Sequence, residues 1–337
     1  MKGRWIIAMV LVWVGGLTYR VLSPREDAVN RDDEESSTSI NAYSQSHRSG
    51  PIQPLEPPTG LDPAKVALGN RLFHEQGLSG DGSTSCASCH DLSTGGDDDS
   101  QYSIGIGGSP TPVNSPTVLN AALSFRQFWN GRAANLEEQI DGPITHPGEM
   151  GNDWASVVAW LKSQSGYRQS FDRIYDDGVS RENVRDAIAT FERSLITVDS
   201  PFDLYLRKEA ELEDAAIRGY EKFVSLGCIA CHQGRAIGGN LFQKFGLFGN
   251  YFEDEGRPSE AYLGRFEWTG NEADRYVFKV PSLRNVAETG PYLHDGSIDS
   301  LDEVVRVMAR YQLGIDLAED DVLDVVAFLE SLTGVVR

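Results

Sequence analysis

Cys86-Ala-Ser-Cys89-His90 and Cys228-Ile-Ala-Cys231-His232 are two copies of one pentapeptide, and their reading decides the fold. C-x-x-C-H sets two thiols about one helical turn apart, where they can add to the two vinyl groups of a porphyrin while the adjoining imidazole binds the iron. The rival reading is a single zinc ion held by four thiolates from two C-x-x-C knuckles. The chain has six His in 337 residues. At that frequency, about 0.018 per position, a His would follow both knuckles by chance in roughly 3 cases in 10,000, which favours two covalently bound c-type haems. The motifs use all four cysteines, so none remains for a disulfide.

A chain of this length fits two domains, and two haem motifs give the same count. The net charge is −20, from 30 basic and 50 acidic residues. Such a balance argues against nucleic acid or anionic lipid as partner, because phosphate binding needs basic stripes. It fits either simple solubility or the steering of a positively charged donor. At the N-terminus, Lys2 and Arg4 precede an apolar run from Trp5 to Leu17. The run is short for a membrane span, which takes about 20 residues. No small-x-small cleavage site follows it. Residues 1–22 therefore read as a signal peptide or an uncleaved signal anchor, and either delivers the body outside the cytoplasm, where c-type haem is attached. Residues 23–60 include Arg31-Asp-Asp-Glu-Glu35 and Pro54-Leu-Glu-Pro-Pro58. With so little apolar surface this stretch is expected to be a disordered tether.

From Leu61 onward helical periodicity dominates, with little strand alternation. Val66, Gly69, Leu72 and Phe73 recur at helical spacing ahead of the first haem motif, and Ile217, Tyr220, Phe223 and Val224 do so ahead of the second. An amphipathic helix followed by C-x-x-C-H thus forms an internal repeat, with Cys228 falling 142 residues after Cys86. Further helices are expected over Trp154–Gln164, Arg181–Leu195, Leu301–Tyr311 and Glu319–Leu332, the last capped by Gly334. Asp91 to Asn114 is a Gly-, Ser- and Pro-rich loop, long for a compact domain unless it wraps a ligand. The acids Asp97, Asp98 and Asp99 within it read as solvated.

Between and around the two motifs lie Asn114-Ser-Pro-Thr-Val-Leu-Asn120, Gln127-Phe-Trp-Asn-Gly-Arg132, Gly148-Glu-Met150, Pro281-Ser-Leu-Arg-Asn285, Pro291-Tyr-Leu-His294 and Val307-Met308. In this order they resemble the bacterial di-haem cytochrome c peroxidases of the MauG-type superfamily, from about Leu61 to Gly334. The resemblance implies a mostly α fold of two cytochrome c-like haem domains joined by loops. Residues 61–200 would hold the peroxide-reacting haem and 201–337 the electron-transfer haem, with haem and calcium at or near the interface. Carried over residue by residue, His90 is the proximal ligand of the first iron and His232 that of the second, with Met308 as the second iron's distal ligand. Met308 also falls on an apolar stripe with Leu301, Val304 and Val305, where core packing is the plain alternative. Glu149 matches the distal acid-base residue, Gln139 and Phe128 match other members of that pocket, and Trp129 matches the tryptophan between the haems. Asn114, through its side chain, and Thr289 and Pro291, through their carbonyls, match a calcium site completed by water. The resemblance further implies hydrogen peroxide as substrate, a periplasmic location, and a small cytochrome c or copper protein as electron donor. A homodimer, frequent in the family, is left open.

One departure matters. Many family members carry a His in Ser-Ile-Gly-His-Gly that blocks the peroxide iron at rest, and the corresponding string here is Ser103-Ile-Gly-Ile106-Gly107. Ile106 has no ligating atom, so the first iron is expected to be five-coordinate or water-bound at rest. His146, three residues before Glu149, is the remaining candidate for a proton relay in the distal pocket. His47 falls in the tether, His74 ends a helix, and His294 carries no assigned role. Two other functions stay open at this stage. One is a peroxide-driven oxidase that modifies side chains of a partner protein and uses Tyr as distal ligand; Tyr311 lies one turn from Met308. The other is a non-catalytic di-haem electron carrier.

Overall fold

The computed structural model describes residues 50–256 and 263–337. The leader and most of the expected tether lie outside the described residues. Among the described residues no helix is long and apolar enough to cross a membrane.

Helix α1 (Pro63–Phe73) begins where the Asp62 carboxylate accepts from the Ala64 amide and Pro63 presets the first turn. The buried face of α1 carries Leu68, Gly69, Leu72 and Phe73. It packs with α2 (Leu136–Thr145), α3 (Trp154–Ser163), α4 (Ser165–Ile174) and α5 (Arg181–Ser194) around a first core. Asn135, Asp153 and Ser180 cap α2, α3 and α5 with side-chain oxygens. The sequence pattern missed α2 and α4, the latter starting at Ser165 with one residue between it and α3.

A second core follows in α6 (Pro201–Leu206), α7 (Asp214–Ser225), α8 (Leu301–Met308) and α9 (Glu319–Glu330). Phe202, Tyr220 and Phe328 meet there with ring centroids about 5 Å apart. Each such ring buried from water is worth about 1.5–3 kcal/mol. The membership of the two cores changes over between Leu195 and Phe202. The described residues nonetheless belong to one compact unit.

The sequence repeat has a packing counterpart. In each half the helix before the haem motif crosses a later helix through glycine. A Cβ on Gly69 would lie 2.0 Å from the Ala187 carbonyl oxygen in α5, and one on Gly219 would lie 1.8 Å from that of Asp324 in α9. Any side chain at either position would force the crossing apart.

Strands are few and short. β1 (Thr197–Val198), β2 (Phe242–Lys244), β3 (Val277–Lys279) and β4 (Val335–Val336) form two antiparallel pairs, β1 with β4 and β2 with β3. At the first pair a buried polar chain ties the halves together. Asn120 Oδ1 accepts from the Thr197 amide, Thr197 Oγ1 lies 2.7 Å from Asn285 Oδ1, and Asn285 Nδ2 donates to the Gly334 carbonyl. Asn120 and Asn285 both hold left-handed backbone, at φ 61° and 59°, a region Asn tolerates better than most residues. These asparagines end the Asn114–Asn120 and Pro281–Asn285 strings, so both strings carry structural work.

Three expectations need correction. Residues 52–55 do not behave as tether: Ile52 and Leu55 are buried, and the Gln53 and Leu55 carbonyls accept from Arg284 and Arg207. Two apolar side chains and two guanidinium contacts suffice to dock a Pro-rich strand that composition alone reads as unfolded. Helix α9 ends at Glu330 with Ser331 as its cap. Gly334 instead sits where a Cβ would come within 2.8 Å of the Val198 carbonyl oxygen beside β1. Finally, the helix expected to run to Tyr311 changes after Met308 into a π-turn over Ala309–Leu313. Such turns widen the helix locally and are frequent at functional sites.

Candidate active site

Each C-x-x-C-H motif folds as a 3₁₀ turn, Cys86–Ser88 and Cys228–Ala230. The first is braced by Ser85, whose amide donates to Ser88 Oγ. The second is entered through Gly227 at φ 100°, a left-handed position that suits glycine. Burial pushes the Cys86 thiol up to about 12 and the Cys228 thiol up to about 11. Cys86 packs on the first core and Cys228 on the second. Among the described residues no three His, Cys, Asp or Glu side chains converge on a metal position. The four cysteines therefore do not gather into a zinc site.

The donor set fits covalently attached haem. His90 Nδ1 donates to the Gly96 carbonyl at 3.2 Å, which fixes the tautomer and leaves Nε2 to bind iron. Burial lowers the pKa of His90 and takes that of His232 down to about 4, so both imidazoles are neutral and ready to ligate. Among the described residues His232 Nδ1 is buried without a hydrogen-bond partner, and the Ile237 and Pro281 backbone groups offset burial only in part.

His232, Cys228 and Cys231 line a cavity of about 470 Å³, and Met308 lines the same cavity. It falls in the size range of cofactor sites. Met308 is the last residue of α8, immediately before the π-turn. Tyr311 is not among the lining residues. Its hydroxyl donates to Asp254 Oδ2 at 3.0 Å and its ring packs edge-on against Tyr251.

Trp129 and Phe128 reach this cavity from the opposite half. Trp129 Nε1 donates to the Asn114 carbonyl at 2.9 Å, and the Trp129 carbonyl accepts from the Lys279 amide in β3. Phe128 has φ 68°, an unusual left-handed conformation for an aromatic residue. Its ring lies against α2 at Gly142, where a Cβ would come within 2.8 Å, one turn after half-buried Gln139. The Arg132 guanidinium stacks over this ring, 3.4 Å from its centre. His294 is buried, lines the cavity and meets Trp129 edge-on at 6.4 Å.

Glu149 sits in the turn after α2. Its amide donates to the His146 carbonyl, and its carbonyl accepts from the Ile106 amide at 2.8 Å. The 103–109 loop presses on this turn so closely that a Cβ on Gly105 would lie 2.0 Å from the Gly148 carbonyl oxygen. Burial raises the Glu149 pKa, and His146 and Arg132 pull it back. His146 Nδ1 lies 3.4 Å from Glu149 Oε1 and accepts from the Gly148 amide at 3.2 Å. The Glu149 charge lies near enough to act on the Cys89 thiol, after burial, Ser103 and Asp98. Ile106 fills the space over Gly151, where a Cβ would come within 2.1 Å of its Cδ1.

Asn114, Thr289 and Pro291 all line the cavity. Asn114 Nδ2 donates to the Ser100 carbonyl, which turns the amide oxygen the other way. Asp97 departs from the sequence reading. It is 2 % exposed, lines the cavity, and burial pushes its carboxyl up to about 7. An acidic run in a Gly-rich loop gave no sign of this, because the burial comes from distant segments. Arg132 was visible only as the end of a motif string, and its stacking on Phe128 needs the folded loop.

A family model described as di-haem cytochrome c peroxidase matches residues 63–211. Cytochrome c551 peroxidase of Nitrosomonas europaea is 42 % identical over 286 residues, covering 84 % of each chain. The chain belongs to the bacterial di-haem cytochrome c peroxidase family. Cytochrome c peroxidase Ccp of Escherichia coli is 44 % identical over 297 residues, spanning 88 % of this chain but 63 % of that longer relative. The crystal structure of a MauG-like protein associated with microbial copper homeostasis superposes with a TM-score of 0.74 at 29 % identity, covering 84 % of this chain and 94 % of that one. As a member of this di-haem cytochrome c peroxidase family the chain is an oxidoreductase of the peroxidase class, with haem c as its implied cofactor.

Proposed function

We propose that the chain reduces hydrogen peroxide to two waters in the periplasm, drawing two electrons, one at a time, from a small cytochrome c or copper protein. The observation that carries this reading is the asymmetry of the two motifs. Met308 shares a cavity with His232, whereas Glu149, whose charge reaches Cys89, is held by the loop in which Ile106 offers no ligating atom.

Cys86, Cys89 and His90 would hold the first haem, and Cys228, Cys231, His232 and Met308 the second. Bound there, the two haems supply the redox-active iron that passes two electrons to the peroxide. The protein handles the proton. Glu149 takes it from the near peroxide oxygen and returns it to the departing one, so that bond cleavage releases water rather than hydroxide. The raised pKa brings Glu149 closer to working pH, which suits both transfers. Arg132, pinned over Phe128, holds positive charge near the carboxylate and keeps it from protonating permanently. Phe128 and Gln139 wall the pocket, and Trp129 stands where electrons would pass between the halves. Asn114, Thr289 and Pro291 would hold a calcium ion through oxygen donors suited to a hard cation. Tyr311, engaged with Asp254, favours Met308 as the distal ligand and with it a peroxidase over a protein-modifying oxidase.

Steady-state peroxide consumption with a reduced small cytochrome tests the proposal. Turnover with cytochrome oxidation in a 2:1 ratio to peroxide is the expected outcome. No turnover with any one-electron donor would leave an electron carrier, and turnover dependent on a protein target would leave the oxidase.

A further inference from the structure

Asp97 is a carboxylate in the wrong place for a loop acid. Its Oδ1 is fully buried and takes no hydrogen bond, and the charges that act on the carboxyl are those of Asp99 and Asp98, offset in part by its own amide. An uncompensated buried carboxylate is costly. The backbone nevertheless fixes it there. The Asp97 carbonyl accepts from the Asp91 amide at 2.7 Å, and the Gly96 carbonyl accepts from the Val118 amide at 3.0 Å. Gly95 lies so close to the next segment that a Cβ would meet the Glu288 carbonyl oxygen at 2.5 Å and Thr289 Cγ2 at 3.2 Å. Tyr292 lines the same cavity as Asp97, and after burial that charge raises its hydroxyl pKa. Asp97 lines this cavity together with Asn114, Thr289 and Pro291, which offer neutral oxygen donors.

We propose that Asp97 contributes a carboxylate oxygen, directly or through one bound water, to a divalent-cation site completed by Asn114, Thr289 and Pro291. The inference rests on the calcium reading above and deepens it: a site otherwise built from neutral donors gains one full negative charge. Oxygen donors alone, without imidazole or thiolate, select a hard cation such as Ca²⁺. Ligand charge also sets affinity at such sites. The cation in turn supplies the neutralising partner that the buried oxygen lacks.

The test uses the full haem-loaded protein, stripped with a calcium chelator and titrated calorimetrically with CaCl₂. In Asp97→Asn, which keeps the shape and removes the charge, Ca²⁺ is expected to bind about tenfold more weakly or worse. The calcium-dependent rise in thermal midpoint should shrink with it. In chelator, the same variant should be at least as stable as the wild type, because a buried amide costs less than a buried charge. Equal calcium affinity in the two proteins overturns the role of Asp97 and leaves the calcium reading standing. So does a variant that unfolds in chelator while the wild type stays folded, since Asp97 would then be needed by the apo fold. A wild type that takes up no calcium at all overturns both.

Discussion

Replacing Glu149 by Gln keeps the size of the side chain and its place in the turn but removes the carboxylate that can carry a proton. The backbone contacts to His146 and Ile106 involve main-chain atoms only, so they survive the change. Positioned acid-base groups contribute about 10²- to 10⁴-fold. The Glu149 side chain is 24 % exposed, so water can deliver some protons in its absence. The lower part of that range follows, about 10²- to 10³-fold in turnover, or about 2.7–4.1 kcal/mol at the transition state. The assay is peroxide-dependent oxidation of a reduced small cytochrome, run beside the absorption spectrum of both haems. Loss of turnover with unchanged haem spectra is the expected result. The pH profile gives a second reading. Glu149 must be ionised to accept the first proton, and burial raises its pKa above that of an ordinary glutamate. Activity should therefore fall on acidification before an exposed glutamate would titrate. His146 lowers that pKa, so His146→Ala should move the acid limb to higher pH. Wild-type turnover in Glu149→Gln would refute the reasoning and pass the proton to His146.

Electron paramagnetic resonance of the fully oxidised protein should show the first haem high-spin or water-ligated, because Ile106 has no atom to offer; a purely low-spin bis-imidazole signal there would sink this. Met308→Leu should lower the potential of the second haem, since thioether/imidazole ligation raises it; a redox titration unchanged from wild type would return Met308 to core packing. Asp203 and Arg284 form a fully buried pair at 2.7 Å, and Arg284 also donates to the Gln53 and Arg235 carbonyls. Asp203→Asn leaves that guanidinium without its counter-charge and should cost about 3–5 kcal/mol in denaturant unfolding; a change below 1 kcal/mol, measured the same way, would show that the carbonyls suffice.

How far the sequence carried depends on the range of the forces involved. Helix α1 and helix α7 were legible from apolar spacing, because amphipathicity acts within a few residues. The π-turn after Met308 was not, since a wider turn leaves no mark in a short apolar stripe. Ile52 and Leu55 looked like tether because composition averages over a window, while docking needs only two side chains and a groove supplied from afar.

The two C-x-x-C-H pentapeptides determined the chemistry by themselves, because the thiols and the imidazole that hold a haem are neighbours in the chain. Glu149 and Met308 were nameable from short strings. Only the folded chain decided what surrounds them: Met308 on one cavity with His232 while Tyr311 turns to Asp254, Arg132 stacked on Phe128, and Gly95, two residues before Asp97, closed against the Glu288–Thr289 segment. Those placements come from contacts between segments up to about 190 residues apart, where burial and electrostatics depend on packing that no local pattern encodes.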